Sequence, residues 1–120
     1  MGMTLPEIEA NVERGRQAVR YVIEKQTDVV DAMERPEIGK IDFIWGEPGT
    51  PQKAFLDGYG ISHIIAKHGI NTLNKIPEVI ANGTARMIDV KGGERVWFDH
   101  DGYRAVIRLT WDGNKRNWLL

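Results

Sequence analysis

The sequence predicts an α+β fold in which N-terminal helices pack on one face of a four- to five-stranded antiparallel sheet. Helical spacing of apolar residues dominates the beginning of the chain, whereas short β-branched and aromatic segments separated by turns fill the end. Helices followed by a run of strands are typical of this class. A chain of 120 residues suits one domain, which we expect to span residues 1–120, with a helical segment over 1–36 and an α+β core over 37–120.

The first helix is predicted over residues 5–34, with Thr4 suited to the N-cap position. A second helix start within "QTDVVDAM", capped by Thr27 or Asp28, is the alternative for the end of this segment. The apolar residues that follow helical spacing are Ile8, Val12, Ala18, Val19, Val22, Ile23, Val29, Val30 and Met33.

The middle of the chain is predicted to contain one strand, one loop and two helices. "KIDFIWG" alternates between apolar and other residues, as a half-buried strand does, and two prolines and four glycines between Gly46 and Gly60 indicate a mobile loop. A short helix is expected over residues 61–68. In the next helix, Pro77 favours a regular part that begins only after Asn74.

Four further strands are predicted from "TARMIDV", "ERVWFDH", "YRAVIRLTW" and "RNWLL". Turn residues separate them at Gly92-Gly93, Asp101-Gly102 and Asp112-Gly113, so the last three strands should form an antiparallel meander.

Composition excludes several kinds of site. The chain has no cysteine, which rules out disulfides, thiolate metal ligands and cysteine nucleophiles. No apolar run approaches the roughly 20 residues that a bilayer span needs, and the N-terminus lacks the layout of a signal peptide. We therefore expect no membrane partner.

Charge is distributed unevenly along the chain. Residues 1–60 contain 7 lysines and arginines against 11 acidic residues, whereas residues 61–120 contain 9 against 6. The second half is therefore net positive, which suits an anionic ligand, although an ordinary solvated surface is equally compatible with these counts.

The segment "GISHIIAKHG" places His63 and Lys67 four residues apart, so in a helix they share one face. An imidazole exchanges protons near neutral pH, and an ammonium group one turn away can hold a phosphate oxygen. The pair suits phosphodiester chemistry. The alternative is that His63 lies at the edge of the core and Lys67 in solvent. His68, directly before Gly69, is interpreted as a helix C-terminal cap, where the dipole favours a cationic imidazole.

Metal binding is not indicated by these histidines. His63 and His68 are five residues apart, which does not match the i, i+4 spacing of a helical zinc pair. His100 has Asp99 and Asp101 beside it, a combination that can bind a cation but that also commonly builds turns. We expect no metal and no cofactor.

Two arginines, Arg104 and Arg108, alternate along one predicted strand on the face opposite the helices. Arg95 and Arg116 join them if the strand register allows. Aligned arginines can clamp a phosphate and stabilise charge in a transition state, but an exposed face with Arg–Asp pairs is the alternative. The residues predicted to face the core from this strand are Tyr103, Ala105, Ile107, Leu109 and Trp111. Tryptophans on these strands can stack a base, although strand tryptophans more often belong to the core.

Taken in order, the segments "IDFIWGEPG", "GISHIIAKHG", "IPEVIANG", "YRAVIRL" and "WDGNKRNWLL" resemble phage-associated nuclease domains with the barnase–EndoU–colicin–RelE-like (BECR) fold. Such domains occur in phage head-morphogenesis-type proteins and polymorphic toxins, which implies a cytoplasmic, or phage-associated and delivered, location. The resemblance covers most of the chain. It implies N-terminal helices packed on an antiparallel sheet, and a metal-independent ribonuclease in which the 2′-hydroxyl attacks the neighbouring phosphate and leaves a cyclic phosphate.

By position, the resemblance assigns catalytic roles to His63 and Lys67 on the helix and to Arg108 on the sheet, with Trp118 on the closing strand. The residues expected to bind RNA are Arg95, Arg104, Arg116 and Trp118.

The resemblance also implies a closing strand that continues past "NWLL" into a hydroxyl residue and an aromatic, whereas this sequence ends at Leu120. Two functions therefore remain open. One is an active, toxin-like endoribonuclease, a hydrolase acting on RNA. The other is a catalytically inactive module that binds RNA or a protein partner, such as an immunity protein, an antitoxin or a component of a phage particle. A short last strand at the edge of the sheet would also allow self-association.

Overall fold

The computed structural model describes residues 2–90, 93–111 and 113–120. Within these ranges the chain forms three α-helices and six β-strands. The helices are α1 (Leu5–Lys25), α2 (Gly60–His68) and α3 (Ile70–Asn82). The strands are β1 (Val29–Arg35), β2 (Gly39–Phe43), β3 (Thr84–Val90), β4 (Gly93–His100), β5 (Tyr103–Trp111) and β6 (Asn114–Leu119).

The strands form one sheet in the order β1-β2-β6-β5-β4-β3, in which every pair is antiparallel except β2 with β6. The predicted α+β class is confirmed, with one strand more than expected. The expectation that the last strand lies at the edge of the sheet is wrong. β6 lies between β2 and β5, and the edges are β1 and β3.

The extra strand comes from the segment predicted as the end of the first helix. α1 begins with a capping box between Thr4 and Glu7, as expected, but it ends at Lys25, where Gln26 adopts a left-handed φ of 52°. The prediction of a helix through residue 34 is therefore wrong, and so is the alternative helix restart at Asp28. The Asp28 carboxylate instead accepts a hydrogen bond from the Trp45 N–H, 2.9 Å away.

β1 resembles a helix in sequence because its register is interrupted between Val29 and Met33. Asp31 has a positive φ of 55° at this irregularity, and its N–H donates to the Asp42 carboxylate at 2.8 Å. A strand with an irregularity of this kind loses strict two-residue alternation, so its apolar residues also fit helical spacing.

α1 is attached to β1 by Asn11, whose side chain is fully buried. The amide Nδ2 donates to the Glu34 carbonyl at 2.8 Å, and Oδ1 accepts from the Glu34 N–H at 2.9 Å. The side-chain amide of Asn11 thus pairs with both backbone groups of Glu34, as the backbone of a neighbouring strand would.

α3 runs through Pro77 without a break, which contradicts the expectation of a regular helix only after Asn74. Pro77 cannot donate to the carbonyl one turn earlier, but its ring is buried against α1. A Cβ built on Gly15 of α1 would lie 3.0 Å from the Pro77 Cβ and 2.5 Å from the Met33 sulfur. The glycine therefore permits a close approach of α1, and packing compensates for the missing hydrogen bond.

The end of α3 is tied to the sheet by Arg35 of β1. Its guanidinium donates to the carbonyls of Ile80 and Gly83, each at 2.8 Å, and lies 4.6 Å from the centre of the Phe98 ring. The last carbonyl groups of the helix thus gain a cationic donor.

The core lies between the helices and one face of the sheet. Its fully buried large side chains include Phe43, Phe98, Met33, Ile41, Ile61, Leu73, Ile80, Ile107 and Leu119. The predicted turn at Asp101-Gly102 is confirmed, with positive φ at both residues. Gly92 and Asp112 of the other two predicted turns lie outside the described residues. None of the helices in the described part of the chain combines the length and apolar character that a bilayer crossing requires.

Candidate active site

A groove of about 670 Å³ lies between α2 and the neighbouring parts of the sheet. α2 contributes His63, Lys67 and His68, and the sheet contributes Arg95 and Arg104. Among the described residues that line this space, which we call the α2 groove, none is an aspartate or a glutamate. The groove is therefore a basic cleft with two imidazoles.

The main chain at the end of β2 fixes the start of α2. The N–H of Ile61 donates to the Ile44 carbonyl at 2.8 Å, and the N–H of Ser62 donates to the Trp45 carbonyl at 2.9 Å. These bonds satisfy two of the helix's unpaired N-terminal donors. Ile61 and Ile64 enter the core, so the face that carries His63 and Lys67 is directed to the groove, as the four-residue spacing predicted.

His63 is held by the loop that precedes α2. Its Nδ1 lies 3.4 Å from the Pro48 carbonyl oxygen. A carbonyl oxygen can only accept, so this contact assigns the proton to Nδ1 and leaves the lone pair of the neutral ring on Nε2. The backbone of Gly58 also lies close to this ring, since a Cβ added to Gly58 would be 2.7 Å from the His63 Nδ1.

The loop over residues 46–60, predicted to be mobile, has defined contacts of its own. Glu47 and Tyr59 form an isolated antiparallel bridge, and the Asp57 carboxylate accepts from the Thr50 N–H at 2.9 Å. That hydrogen bond lowers the pKa of Asp57. The loop is thus closed at its base and braced internally, which gives the imidazole of His63 a fixed neighbour.

His68 also lines the groove, which the sequence interpretation as a simple cap did not predict. α2 does end at His68, and Gly69 follows as the C-cap with a φ of 85°. Partial burial lowers the pKa of His68, and the nearby charges of Lys67 and His63 lower it further. The neutral imidazole is therefore favoured, contrary to the cationic form expected at a helix C-terminus.

The register of β4 and β5 places Arg95 directly opposite Arg108. Arg95 lines the groove, and its buried Nε has no hydrogen-bond partner among the residues that the structure describes. Arg108 is engaged elsewhere: its Nε donates to the Thr110 carbonyl at 2.8 Å and its guanidinium lies 4.5 Å from the centre of the Trp111 ring. Of these two arginines, the structure brings Arg95, and not the expected Arg108, to the groove with His63 and Lys67.

Arg104 lines the groove but is paired with Asp99 of β4. Its Nε lies 2.6 Å from the Asp99 Oδ1, and its guanidinium lies 4.0 Å from the centre of the Trp97 ring. The hydrogen bond from Arg104 lowers the pKa of Asp99. The positive charge of Arg104 is therefore partly neutralised by Asp99, which weakens its attraction for an anionic ligand.

Three aromatic rings lie in series next to the strand residue Arg108. The ring centres of Tyr59 and Trp111 are 5.2 Å apart, and those of Trp111 and Trp118 are 5.3 Å apart. We call this set the aromatic row. Arg116, predicted to bind RNA, lies at its end with its guanidinium 5.6 Å from the centre of the Trp118 ring.

Trp111 was expected to face the core together with Ile107, and this expectation is wrong. The pairing of β5 with β6 shifts between Arg108 and Thr110, and after that irregularity the Trp111 ring contacts both Trp118 and Arg108. Sequence reasoning also missed Tyr59, although its position between two glycines at a helix start was an available signal.

No group of three histidine or carboxylate side chains converges as metal ligands within the described residues. The segment around His100 instead forms the hairpin turn between β4 and β5, and Asp99 beside it is bonded to Arg104.

Comparison with family models relates this chain to known proteins. The family model of the phage barnase–EndoU–colicin E5/D–RelE-like nuclease 1 domain matches residues 32–120, from within β1 to the end of the sequence, so α1 precedes the matched part. Neither the curated proteins nor the solved structures yield a match. Since the family model spans most of the sequence, and the helices packed on an antiparallel sheet agree with the fold it describes, the chain belongs to the phage barnase–EndoU–colicin E5/D–RelE-like nuclease 1 family.

Proposed function

We propose that this protein is a metal-independent endoribonuclease that cleaves RNA in the α2 groove. The supporting observation is that His63, Lys67 and Arg95 line one groove in a member of a nuclease family. The guanidinium of Arg95 can donate hydrogen bonds to phosphate oxygens.

The reaction is an internal transesterification. The RNA 2′-hydroxyl loses its proton to a base as the oxygen attacks the neighbouring phosphorus. The bond from phosphorus to the 5′-oxygen then breaks, and that oxygen receives a proton from an acid. The products are a 2′,3′-cyclic phosphate and a 5′-hydroxyl end, so one base and one acid are needed on opposite sides of the phosphate.

His63 and His68 supply this pair. The lowered pKa of His68 favours its neutral form, which suits the base that accepts the 2′-hydroxyl proton. The Nδ1–H of His63 faces the Pro48 carbonyl, so Nε2 is the atom that exchanges a proton with substrate. In its doubly protonated form, His63 serves as the acid and transfers the Nε2 proton to the 5′-oxygen, which leaves the neutral ring. Microscopic reversibility exchanges these roles if the cyclic phosphate is later hydrolysed.

Lys67 and Arg95 stabilise the negative charge that builds on the phosphate oxygens in the transition state. Lys67 shares the face of α2 with His63, and Arg95 enters from β4. Loss of one preorganised donor of this kind typically slows a reaction by about 100- to 1,000-fold. Arg108, which stacks on Trp111, acts in substrate binding in this scheme and not at the reacting phosphate.

An RNA cleavage assay in EDTA, with analysis of the new ends, tests the proposal. We expect the wild type to produce cyclic-phosphate ends, and His63→Ala, His68→Ala and Arg95→Met to lose at least about 100-fold in rate. His100→Ala is the matched control, because His100 is exposed and is not among the described residues that line the groove.

The pH dependence separates the two histidines. The wild-type rate should pass through a maximum, and loss of the base should remove the acidic limb while loss of the acid removes the alkaline limb. Absence of cleavage by the wild type, or undiminished cleavage by His63→Ala, would refute the catalytic assignment. RNA that binds but stays intact would instead support the inactive RNA-binding module.

A toxin-like role and a neutralising partner belong to the same proposal. An enzyme that cleaves cellular RNA harms its own host, so an immunity protein or antitoxin would need to cover the α2 groove. The basic lining of the groove suits an acidic partner surface. Induced expression of the wild type should arrest bacterial growth, and expression of His63→Ala should not.

A further inference from the structure

We propose that the aromatic row Tyr59–Trp111–Trp118 is a binding subsite for unpaired bases, which restricts this protein to single-stranded RNA. The inference rests on the proposed ribonuclease function and adds the form of RNA that is recognised. Each ring of the row is half-buried, and together they come from the start of α2 and from two sheet strands.

The row is not part of the core. Among the described residues, the core cluster and its partly buried apolar neighbours include Trp45 but none of the three rings in the row. The rings instead contact one another, at centre-to-centre distances of 5.2 and 5.3 Å. Large apolar surfaces that lie outside the core and remain partly accessible indicate a ligand site.

The row lies next to the α2 groove. Gly58 lines the groove and Tyr59 is the next residue, while Arg95 in the groove is directly opposite Arg108 beside the row. An RNA strand whose phosphate lies near His63 would therefore carry its neighbouring bases across these rings.

Arginines accompany the row where the sugar–phosphate chain of a stacked nucleotide would run. The guanidinium of Arg108 lies 4.5 Å from the Trp111 ring centre and that of Arg116 lies 5.6 Å from the Trp118 ring centre. Aromatic faces flanked by cations are the usual means of holding single strands without reading their sequence.

Duplex RNA does not fit such a row. In a duplex each base face is covered by its neighbours, whereas the row needs exposed base faces to stack on its tilted rings. The interplanar angles of 44° in both pairs also splay the rings apart, which suits bases separated from their own neighbours.

Binding measured with a catalytically silent variant tests the subsite independently of cleavage. Fluorescence anisotropy with His63→Ala would compare three labelled probes: a single-stranded oligoribonucleotide, the same strand in a duplex, and an abasic oligomer with the same number of phosphates. We expect the single strand to bind at least about tenfold more tightly than the abasic oligomer, since each stacked base contributes about that much or more.

Substitutions in the aromatic row then test whether these rings cause the preference for the single strand. Trp118→Leu in the His63→Ala background should weaken binding of the single strand by about tenfold and leave the abasic oligomer unchanged. Tyr59→Leu is a second variant, since it changes the end of the row nearest to the groove and does not alter a sheet strand. Tyr21→Leu is the matched control, because Tyr21 is 49% exposed on α1. Circular dichroism verifies that each variant is folded.

Equal affinity for the single strand and the abasic oligomer, or for the single strand and the duplex, would overturn the subsite. So would a preference for single strands that survives in both Trp118→Leu and Tyr59→Leu. These outcomes are distinct from failure of the ribonuclease proposal, which would appear as absent cleavage by the wild type whatever the affinities are.

Discussion

Asn11 fastens α1 to β1, and its replacement by alanine tests how firmly the first helix belongs to the rest of the fold. α1 precedes the part of the chain that matches the nuclease family, so this attachment concerns the boundary of the domain. In Asn11→Ala, the N–H and the carbonyl of Glu34 both lose the partner that now lies 2.9 and 2.8 Å away.

The expected loss can be worked out from these two groups. A polar group left without its partner in a buried place destabilises a protein by about 1–3 kcal/mol. Glu34 is only half-buried, so we take the lower part of the range and expect about 2–4 kcal/mol for the two groups together. Unfolding entropy of about 2.1 cal/mol/K per residue then converts each kcal/mol into a shift of about 4 °C, so Tm should fall by about 8–16 °C.

Thermal and urea denaturation followed by circular dichroism measure this loss. Asn82→Ala is the matched control, because Asn82 is exposed and its single side-chain bond, to the Glu78 carbonyl, is 3.2 Å long. The control should change stability by no more than about 0.5 kcal/mol. If Asn11→Ala unfolds like the control, the two hydrogen bonds do not hold α1 to the sheet and the reasoning fails.

Three further outcomes are expected. Gly58→Ala should slow RNA cleavage by about 10- to 100-fold, since the new Cβ would clash with the Pro48 carbonyl group and lie 2.7 Å from the His63 Nδ1, so the contact between them would be displaced. Lys67→Gln should raise the pKa of His68, measured by NMR titration, because it removes a neighbouring positive charge. Because the folded-state pKa of His68 is lowered, the folded chain binds fewer protons than the unfolded chain just below the ordinary histidine value. The contribution of His68 to stability therefore falls as pH drops through that window. Arg35→Met should destabilise the fold by about 2 kcal/mol in urea denaturation, because carbonyls at the end of α3 lose a cationic donor.

Each of these outcomes has a result that contradicts it. Full activity in Gly58→Ala would show that the loop contact does not position the imidazole. An unchanged His68 titration in Lys67→Gln would remove Lys67 from the causes of the lowered pKa and leave burial and His63. Arg35→Met should be compared with Arg20→Met, an exposed arginine on α1, and equal stability of the two variants would remove the capping role.

The antiparallel hairpins of β4 to β6 could be predicted because their signals are local. Two-residue alternation and glycine-containing turns lie within a few residues of each other, as at Asp101 and Gly102. β1 could not be predicted in the same way. Its identity as a strand depends on pairing with β2 and on the positive φ of Asp31, and neither leaves a local pattern that differs from a helix.

The same distinction between local signals and strand pairing applies to the candidate site. His63 and Lys67 were predicted to share one face of a helix because helix geometry alone fixes their spacing, and both line the α2 groove. Arg95 lines the groove, whereas Arg108 packs on the Trp111 ring. The direction of Trp111 follows from the register shift in the pairing of β5 with β6. Such shifts reverse the direction of side chains, and the sequence of one strand does not reveal them.

The central position of β6 in the sheet makes the α2 groove depend on the pairing of this strand. β6 follows the other strands in the chain but pairs with β2 on one side and β5 on the other. Leu119 and Leu120, at its end, line the α2 groove. Without β6, the sheet divides into the hairpin β1–β2 and the meander β3–β5, each with an open edge. Because residues at the end of β6 line the groove, we expect the groove to form only after β6 has paired with β2 and β5. A fragment that ends after β5 and a separate peptide carrying β6 should therefore assemble the groove only when the two are mixed, as a two-part switch.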